Sequence, residues 1–224
     1  MDQDKPRPAR PKQTMRARIL DAAERLLGQG AADFSMRELA DEAGVSFATP
    51  FNQFGSKAGI MLALSERRID SMRERLARAV LPATAIERVL VAVDIATGVM
   101  LSAPAVNRAV MAAVSAPNDP PGNVAGRSGA WWAEALSAGA GLPEATRDLA
   151  IAALPLQLAF AFRGVLSFWT AGELSDAALT RQARAAVATL LLGFSGPDER
   201  AGLLELIGAE GVRAAAEAAG LADR

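Results

Sequence analysis

The chain contains no cysteine, no histidine and no tyrosine among its 224 residues. Without cysteine it has no disulfide, no thiolate metal ligand and no cysteine nucleophile. Without histidine it lacks the commonest general base and the commonest metal ligand, which excludes a zinc enzyme and a Ser-His-Asp hydrolase. We therefore expect a protein that is not an enzyme and that holds no metal and no cofactor. An enzyme built on Lys, Asp, Glu or Ser stays open as a less favoured alternative.

Apolar runs long enough to cross a membrane are missing as well. The N-terminus has no apolar stretch of the kind that a signal peptide needs. The most apolar run, 149–162, is short and contains Pro155 and Gln157. We interpret this run as a buried helix. The sequence therefore predicts a cytoplasmic protein without a membrane partner.

The residues that are abundant favour helices. Hydrophobic residues make up 51% of the chain, with Ala and Leu dominant and few β-branched runs. The apolar periodicity predicts an all-α fold with helices at 15–28, 35–43, 47–54, 57–78, 84–102, 104–115, 128–140, 144–171 and 176–194. A further amphipathic stretch covers 203–219, and prolines and glycines between 116 and 129 predict a flexible loop.

Charge is distributed unevenly along the chain. The net charge of −1 divides into +3 over residues 1–80 and −4 over residues 81–224. Most of the positive excess lies in the first eighteen residues, and the proline-containing segment 1–13 is predicted to be a disordered basic arm. Such an arm either reaches into a DNA groove or serves as a solubilising tail, and composition leaves both interpretations open.

Residues 35–57 are the most informative segment. Ser35 followed by Glu38 forms a capping-box pattern that begins a short helix, and Gly44 ends it. After a short turn a second short helix follows. This arrangement is typical of a helix-turn-helix, whose second helix lies in the major groove of DNA. Helical hairpins with glycine turns also occur in proteins that never bind DNA, so the spacing alone is only moderately specific.

The flanking residues make the motif more specific. The chain reads RILDAA at 18–23, FSMRELA at 34–40, AGVS at 43–46 and TPFNQFGSK at 49–57. Over about residues 15–65 this pattern closely resembles the DNA-binding domain of the tetracycline-repressor (TetR) family. The resemblance implies a basic arm at 1–13, a helix-turn-helix domain at 14–62 and a helical effector-binding and dimerisation domain at 63–224.

Two residues depart from the family's pattern. Phe51 stands where the family usually has a tyrosine whose hydroxyl reaches a phosphate, so that hydrogen bond is lost. Pro50 occupies a position that is usually aliphatic. Because proline is tolerated in the first turn of a helix, we expect the recognition helix to begin near Thr49.

Candidate DNA contacts follow from the helix-turn-helix and from the resemblance. The N-terminus of the helix that Ser35 caps favours a phosphate, and Arg37 and Lys57 are expected beside it. Asn and Gln side chains can bridge adenine edges, and apolar side chains can contact thymine methyls. The candidate contacts are Ser35, Arg37, Ser46 (also a possible N-cap), Phe47, Ala48, Thr49, Asn52, Gln53 and Lys57. The residues expected in the core of this domain are Leu39, Val45, Phe51 and Phe54.

The larger domain is predicted to hold a small hydrophobic effector. It carries all three tryptophans and few polar side chains, as small-molecule sites usually do. A hydroxyl, carbonyl or carboxylate of the effector would meet Arg163 or Asn107. The candidate effector contacts are Met100, Asn107, Met111, Trp131, Trp132, Gln157, Phe160, Arg163 and Phe168. For any single one of them, a place in the core is the simpler interpretation.

The resemblance also implies a homodimer in which the last two long helices of each subunit form a four-helix bundle. An apolar stripe on 176–194 supports this, because it is wider than one neighbour would cover. A two-fold dimer predicts an inverted-repeat operator in double-stranded DNA. The expected function is ligand-responsive transcriptional repression. The alternatives are a helical small-molecule-binding protein with weakened DNA reading and, less favoured, an enzyme with a helical fold.

Overall fold

The computed structural model describes residues 14–31, 33–117 and 122–218, with side chains described as far as Arg213. Within these ranges the chain forms ten α-helices and one 3₁₀ turn at Leu192–Phe194, and no strand. The helices are α1 Met15–Gly28, α2 Met36–Ala43, α3 Ala48–Phe54, α4 Lys57–Arg78, α5 Ala85–Leu101, α6 Pro104–Ser115, α7 Val124–Leu136, α8 Glu144–Ala171, α9 Asp176–Leu191 and α10 Pro197–Ala218. The all-α prediction is confirmed. The arm expected at 1–13 lies outside the described residues.

Local capping signals explain why most helix ends agree with the sequence. Thr14, Ser35, Thr84 and Ser175 each accept a hydrogen bond from the backbone N–H three residues further on, which satisfies one of the free donors of the first turn. At the other end, α2 is closed by a glycine in the left-handed conformation, Gly44, as is α8.

The boundaries predicted for two helices are wrong. The structure begins α7 at Val124 rather than at 128 and ends it before Ser137, whose φ of 52° breaks the helix. The expected loop at 116–129 is correspondingly shorter. The structure also begins α10 at Pro197 rather than at 203. Proline is favoured at the first helical position because its missing N–H would have no intrahelical acceptor there.

The chain divides into two compact units, one as far as Ile60 and one from Met61, so that the division falls within α4. In the first unit, α1, α2 and α3 enclose a small core that includes Ile19, Leu27 and Leu39, all of which are at most 2% exposed. In the second unit the core is larger and contains all three tryptophans, each of them at most 1% exposed.

A sharp bend separates α5 from α6 in the second unit. The two helices meet at 101°. Asn107 of α6 is fully buried, and its Nδ2 donates to the carbonyls of Val99 and Met100 at 3.1 and 2.7 Å. These carbonyls belong to the last turn of α5, and the Val99 carbonyl also accepts from the N–H and the hydroxyl of Ser102. Asn107 therefore closes the end of α5.

The apolar stripe on α9 lies within its own chain. Leu179, Ala183, Val187 and Leu191 are fully buried, in a core to which α5, α8 and α10 also contribute. Buried Glu210 of α10 accepts hydrogen bonds from side chains of α9 and so fixes α10 against it. The part of the stripe that includes Ala186 and Leu190 stays half-buried, and the interpretation that the stripe offers a face to a second subunit stays a prediction.

Helix α8 keeps an exposed apolar face. Its 28 residues make it long and apolar enough to cross a membrane by length and composition, and a third of its most apolar window is buried inside the chain. The large apolar side chains that stay exposed on α8 are Leu149, Ile151, Leu156, Phe160 and Phe168. The run 149–162, expected to be a buried helix, is therefore helical but buried on only part of its circumference.

Candidate functional site

The first unit begins with the capping box of α2. The hydroxyl of Ser35 accepts from the Glu38 N–H at 3.2 Å, and the Glu38 carboxylate accepts from the Ser35 N–H at 2.7 Å. The hydrogen bond from the Ser35 backbone, the Ser35 side chain and nearby Lys57 lower the pKa of Glu38, although burial opposes them. The N–H of Ser35 is thus occupied, and the N–H groups that begin the helix at Met36 and Arg37 form its open end.

The turn between α2 and α3 is held from α1. Gly44 has a φ of +63°, and Arg18 donates from Nη2 to the carbonyls of Ala43 and Gly44 at 2.9 and 3.2 Å. A Cβ at Gly44 would lie 3.4 Å from that nitrogen. Arg18 therefore positions the turn. Its place in the sequence does not predict this role, because an arginine there is equally consistent with a charged residue on the surface.

Helix α3 begins at Ala48, between the start at 47 predicted from the periodicity and the start near Thr49 predicted from Pro50. Its N-cap is Phe47, so the interpretation of Ser46 as the cap is wrong; the Ser46 hydroxyl instead lies 2.7 Å from the Thr49 hydroxyl. Pro50 is buried in the first turn, where a helix has no acceptor for the N–H that proline lacks.

Two aromatic rings lie on the outer face of α3. Phe47 and Phe51 are 51% and 41% exposed, and their rings meet edge to face with centroids 5.3 Å apart. The guanidinium of Arg37 lies 5.3 Å from the centroid of Phe47. The prediction of Phe51 as a core residue is wrong. Pro50 takes the inward position, and Phe51 shares the outward face with Phe47, one helical turn earlier.

The other three residues that were expected in the core of this unit differ in how deeply they are buried. Leu39 is fully buried, whereas Val45 and Phe54 are half-buried. The guanidinium of Arg16 lies 4.3 Å from the centroid of Phe54 and donates to the Gln53 carbonyl at 3.1 Å, near the C-terminus of α3. Arg16 is a cation beside α3 that the sequence reasoning did not single out.

None of the nine predicted DNA contacts is buried. Thr49 and Lys57 are half-buried, and the Lys57 ammonium lies 4.6 Å from the centroid of Phe34. The other seven are exposed, namely Ser35, Arg37, Ser46, Phe47, Ala48, Asn52 and Gln53. The unit thus presents amide, aromatic and cationic side chains around one short helix.

The second unit encloses a cavity of about 270 Å³ among α4, α5, α6, α7 and α8. Seven of the nine predicted effector residues line it: Met100, Asn107, Met111, Trp131, Trp132, Phe160 and Arg163. Gln157 and Phe168 do not, because both lie on the exposed face of α8. Sequence reasoning missed the wall that α4 supplies through Ser65, Arg68, Ile69 and Met72. Their helical spacing marks them as inward-facing, but not as facing a cavity.

Polar groups are few in this cavity, and some are already committed. Asn107 accepts from Nε of Arg68 at 2.6 Å in addition to its two donations to α5, so its amide is occupied by the fold. Arg163 donates to the Ser115 hydroxyl at 2.7 Å and to the sulfur of Met111 at 3.6 Å. Partial burial lowers the pKa of Arg163.

Comparisons with known proteins agree with this architecture. Residues 19–64 match the family model described as bacterial regulatory proteins, tetR family. Among solved structures, a TetR transcriptional regulator from Rhodococcus sp. RHA1 is 25% identical with a TM-score of 0.64, covering 83% of this chain and all of that one. No curated protein sequence matches the chain. Residues 19–64 therefore carry the DNA-binding domain of the tetR family of bacterial regulatory proteins, and most of the chain is similar in fold to a TetR transcriptional regulator.

Proposed function

We propose that the protein is a transcriptional repressor that binds an inverted-repeat operator as a homodimer and releases it when a small molecule enters the cavity of the second unit. The observation that carries the DNA-binding part is the outer face of α3, where Phe47, Asn52 and Gln53 are all exposed. A short helix with amide side chains and apolar rings facing outward suits the major groove. The repressor would act in the cytoplasm, where it reaches DNA.

Phosphate contacts would flank this reading helix. The open N-terminal end of α2 offers the N–H groups of Met36 and Arg37, and a helix N-terminus favours an anion. Lys57 begins α4 just after the reading helix, and Arg16 lies beside the C-terminal end of α3. Cations at both ends of the reading helix would position it along the backbone without reading sequence.

A homodimer would bring two such helices to successive major grooves. The face that suits a second copy is the exposed side of α8, from Leu149 to Phe168, which spans about 28 Å along the helix. Leu149, Leu156 and Phe160 lie on one face at helical spacing, with Phe168 beside them, and such side chains favour burial against another apolar surface. The same side of α8 in a second copy is the natural partner, because a two-fold interface pairs a surface with itself.

Helix α4 offers a route from the cavity to DNA. Its first turn carries Lys57, and its later turns supply Arg68, Ile69 and Met72 to the cavity wall. A ligand that fits only one position of α4 would shift the population toward the state with that position. If Lys57 and α3 do not match the spacing of the major grooves in that state, ligand binding releases the operator.

A mobility-shift assay tests the DNA-binding part. The purified protein is tested against DNA segments from around its own gene, at moderate salt with excess nonspecific competitor. We expect one segment to give a discrete shifted band, and footprinting of that segment to reveal an inverted repeat. The absence of a specific band from all segments, with binding to small molecules retained, would favour the alternative of a ligand-binding protein without DNA reading.

A double variant gives the matched control. Replacing Asn52 and Gln53 with alanine removes base-reading amides from an exposed surface and leaves the flanking cations in place. We expect the discrete band to disappear while weak binding to competitor DNA persists. If the variant keeps the specific band at the same protein concentration, these two residues do not read the operator.

A further inference from the structure

Four of the seven polar side chains that line the cavity can only donate hydrogen bonds, those of Arg68, Arg163, Trp131 and Trp132. Two guanidinium groups, those of Arg68 and Arg163, contribute to its wall, and among the described residues no Asp or Glu does. The rest of the wall is mainly apolar, from residues such as Met72, Val110 and Leu166. A positive charge beside an apolar space favours an anion over a neutral or cationic occupant.

Arg163 lacks the partners that other arginines of this unit have. Arg108 donates to Asp176 at 2.6 Å and stacks on Trp169, and Arg73 donates to Glu134 at 2.9 Å. In the described part of the chain, Arg163 has only the Ser115 hydroxyl and a methionine sulfur, both neutral acceptors and the sulfur a weak one. Among the described residues, no carboxylate pairs with this half-buried cation.

The tryptophans of the unit show the same contrast. Trp169 donates from Nε1 to Asp176 at 2.8 Å and does not line the cavity. Trp131 and Trp132 do line it, are at most 1% exposed, and have no acceptor for either Nε1. Buried indole N–H groups usually have an acceptor, so two adjacent ones without any point to a missing partner.

We propose that the cavity binds a compact carboxylate with an apolar body, and that its oxygens accept hydrogen bonds from Arg163 and from an indole N–H of Trp131 or Trp132. This inference rests on the proposed role of the cavity as the sensor site and specifies the chemical class of its ligand. A cavity of about 270 Å³ suits a small aryl or alkyl acid.

Three probes with one apolar body test the charge requirement: 4-phenylbutyrate, 4-phenylbutanamide and 4-phenylbutylamine. Binding to the full-length protein is followed by calorimetry. We expect the carboxylate to bind at least tenfold more tightly than the amide, and the amine not to bind. Equal affinity for the amide and the carboxylate, or no binding by any of the three at millimolar concentration, would overturn the proposal.

Arginine variants identify the charge responsible. Arg163→Met should abolish the preference for the carboxylate while keeping affinity for the amide, which also shows that the variant is folded. Arg163→Lys should keep part of the preference. Arg78→Met removes the same charge from an exposed site on α4, 77% exposed and outside the cavity, and should leave the preference unchanged. If Arg163→Met keeps the full preference, Arg163 does not bind the carboxylate.

The indole N–H groups provide a direct readout. The chain has only three tryptophans, so an ¹H–¹⁵N spectrum contains three indole signals, assigned by Trp131→Phe, Trp132→Phe and Trp169→Phe. We expect 4-phenylbutyrate to move the signal of Trp131 or Trp132 downfield and to leave that of Trp169 in place. Unchanged signals for Trp131 and Trp132 at saturation would overturn the indole contact.

Failure of this inference can be told apart from failure of the sensor role. Each probe is added to the operator complex in the mobility-shift assay. Release by the amide but not by the carboxylate would keep the sensor role and refute the carboxylate class. Tight carboxylate binding that leaves the operator complex intact would confirm the ligand class and count against the sensor role.

Discussion

Nε of Arg68 donates to Oδ1 of Asn107 at 2.6 Å, so an arginine of the cavity wall is fixed by the same amide that closes α5. Asn107 therefore has a structural role that its sequence context does not reveal. An Asn on the apolar face of a helix is equally consistent with a ligand contact. The three hydrogen bonds favour the structural role.

The first prediction concerns the stability of this arrangement. Asn107→Ala leaves the Met100 carbonyl without its side-chain donor, leaves the Val99 carbonyl with Ser102 alone, and removes this acceptor from Arg68. We expect the free energy of unfolding in urea to fall by about 2 kcal/mol or more, since each buried polar group left unpaired costs about 1–3 kcal/mol. If Asn107 only oriented the ligand, the substitution would weaken ligand binding and leave the unfolding curve unchanged.

The second prediction concerns Lys57. Lys57→Ala should weaken binding to the operator and to unrelated DNA by the same factor, because a phosphate contact carries no sequence information. The slope of log K against log salt concentration should become shallower by about one per subunit. Fluorescence anisotropy titrations at four salt concentrations measure both. A loss confined to the operator, with the slope unchanged, would assign Lys57 to base reading or to folding.

Local signals explain why most of the fold was predictable. Capping residues such as Ser35 and Ser175, and glycines such as Gly44 and Gly172, act within one turn of chain and therefore mark the ends of α2, α8 and α9 directly. The register of α7 was not predictable in the same way. Gly129 weakens a helix locally, but it is buried in α7, where a Cβ would lie 3.8 Å from the backbone of Leu156. The packing of α7 against α8, and not a local signal, therefore sets the bounds of α7.

The parts of the site that sequence reasoning missed depend on which way a side chain faces. Helix α8 is apolar around most of its circumference, so no stripe in its sequence separates Phe160, which lines the cavity, from Phe168, which does not. Phe51 was assigned to the core because it is aromatic, but the buried Pro50 sets the phase of α3. The lack of an acceptor for Trp131 and Trp132 is visible only in three dimensions.

The third prediction concerns Phe47 and thymine. If the exposed ring covers a thymine methyl in the operator, Phe47→Ala should reduce affinity by about 0.8 kcal/mol, roughly fourfold, since about one methyl group is no longer buried. Replacing that thymine with uracil should cost the wild type the same amount and the variant nothing. Anisotropy titrations of both proteins on both duplexes measure this cycle. Additive losses would mean that Phe47 does not contact the methyl.

The fourth prediction concerns the exposed face of α8. Phe168→Glu places a charge on a side chain that is 58% exposed and does not line the cavity, so the subunit should stay folded. We expect sedimentation at micromolar concentration to give a dimer for the wild type and a monomer for the variant, because burying an unpaired carboxylate in an apolar interface is strongly unfavourable. The affinity of the variant for the operator should also fall, since a monomer engages one half-site.

Val80→Glu is the matched control: Val80 is 98% exposed on the segment after α4, and the same charge there should leave the dimer intact. A wild type that sediments as a monomer, or a Phe168→Glu variant that remains a dimer, would mean that this region of α8 does not join two copies.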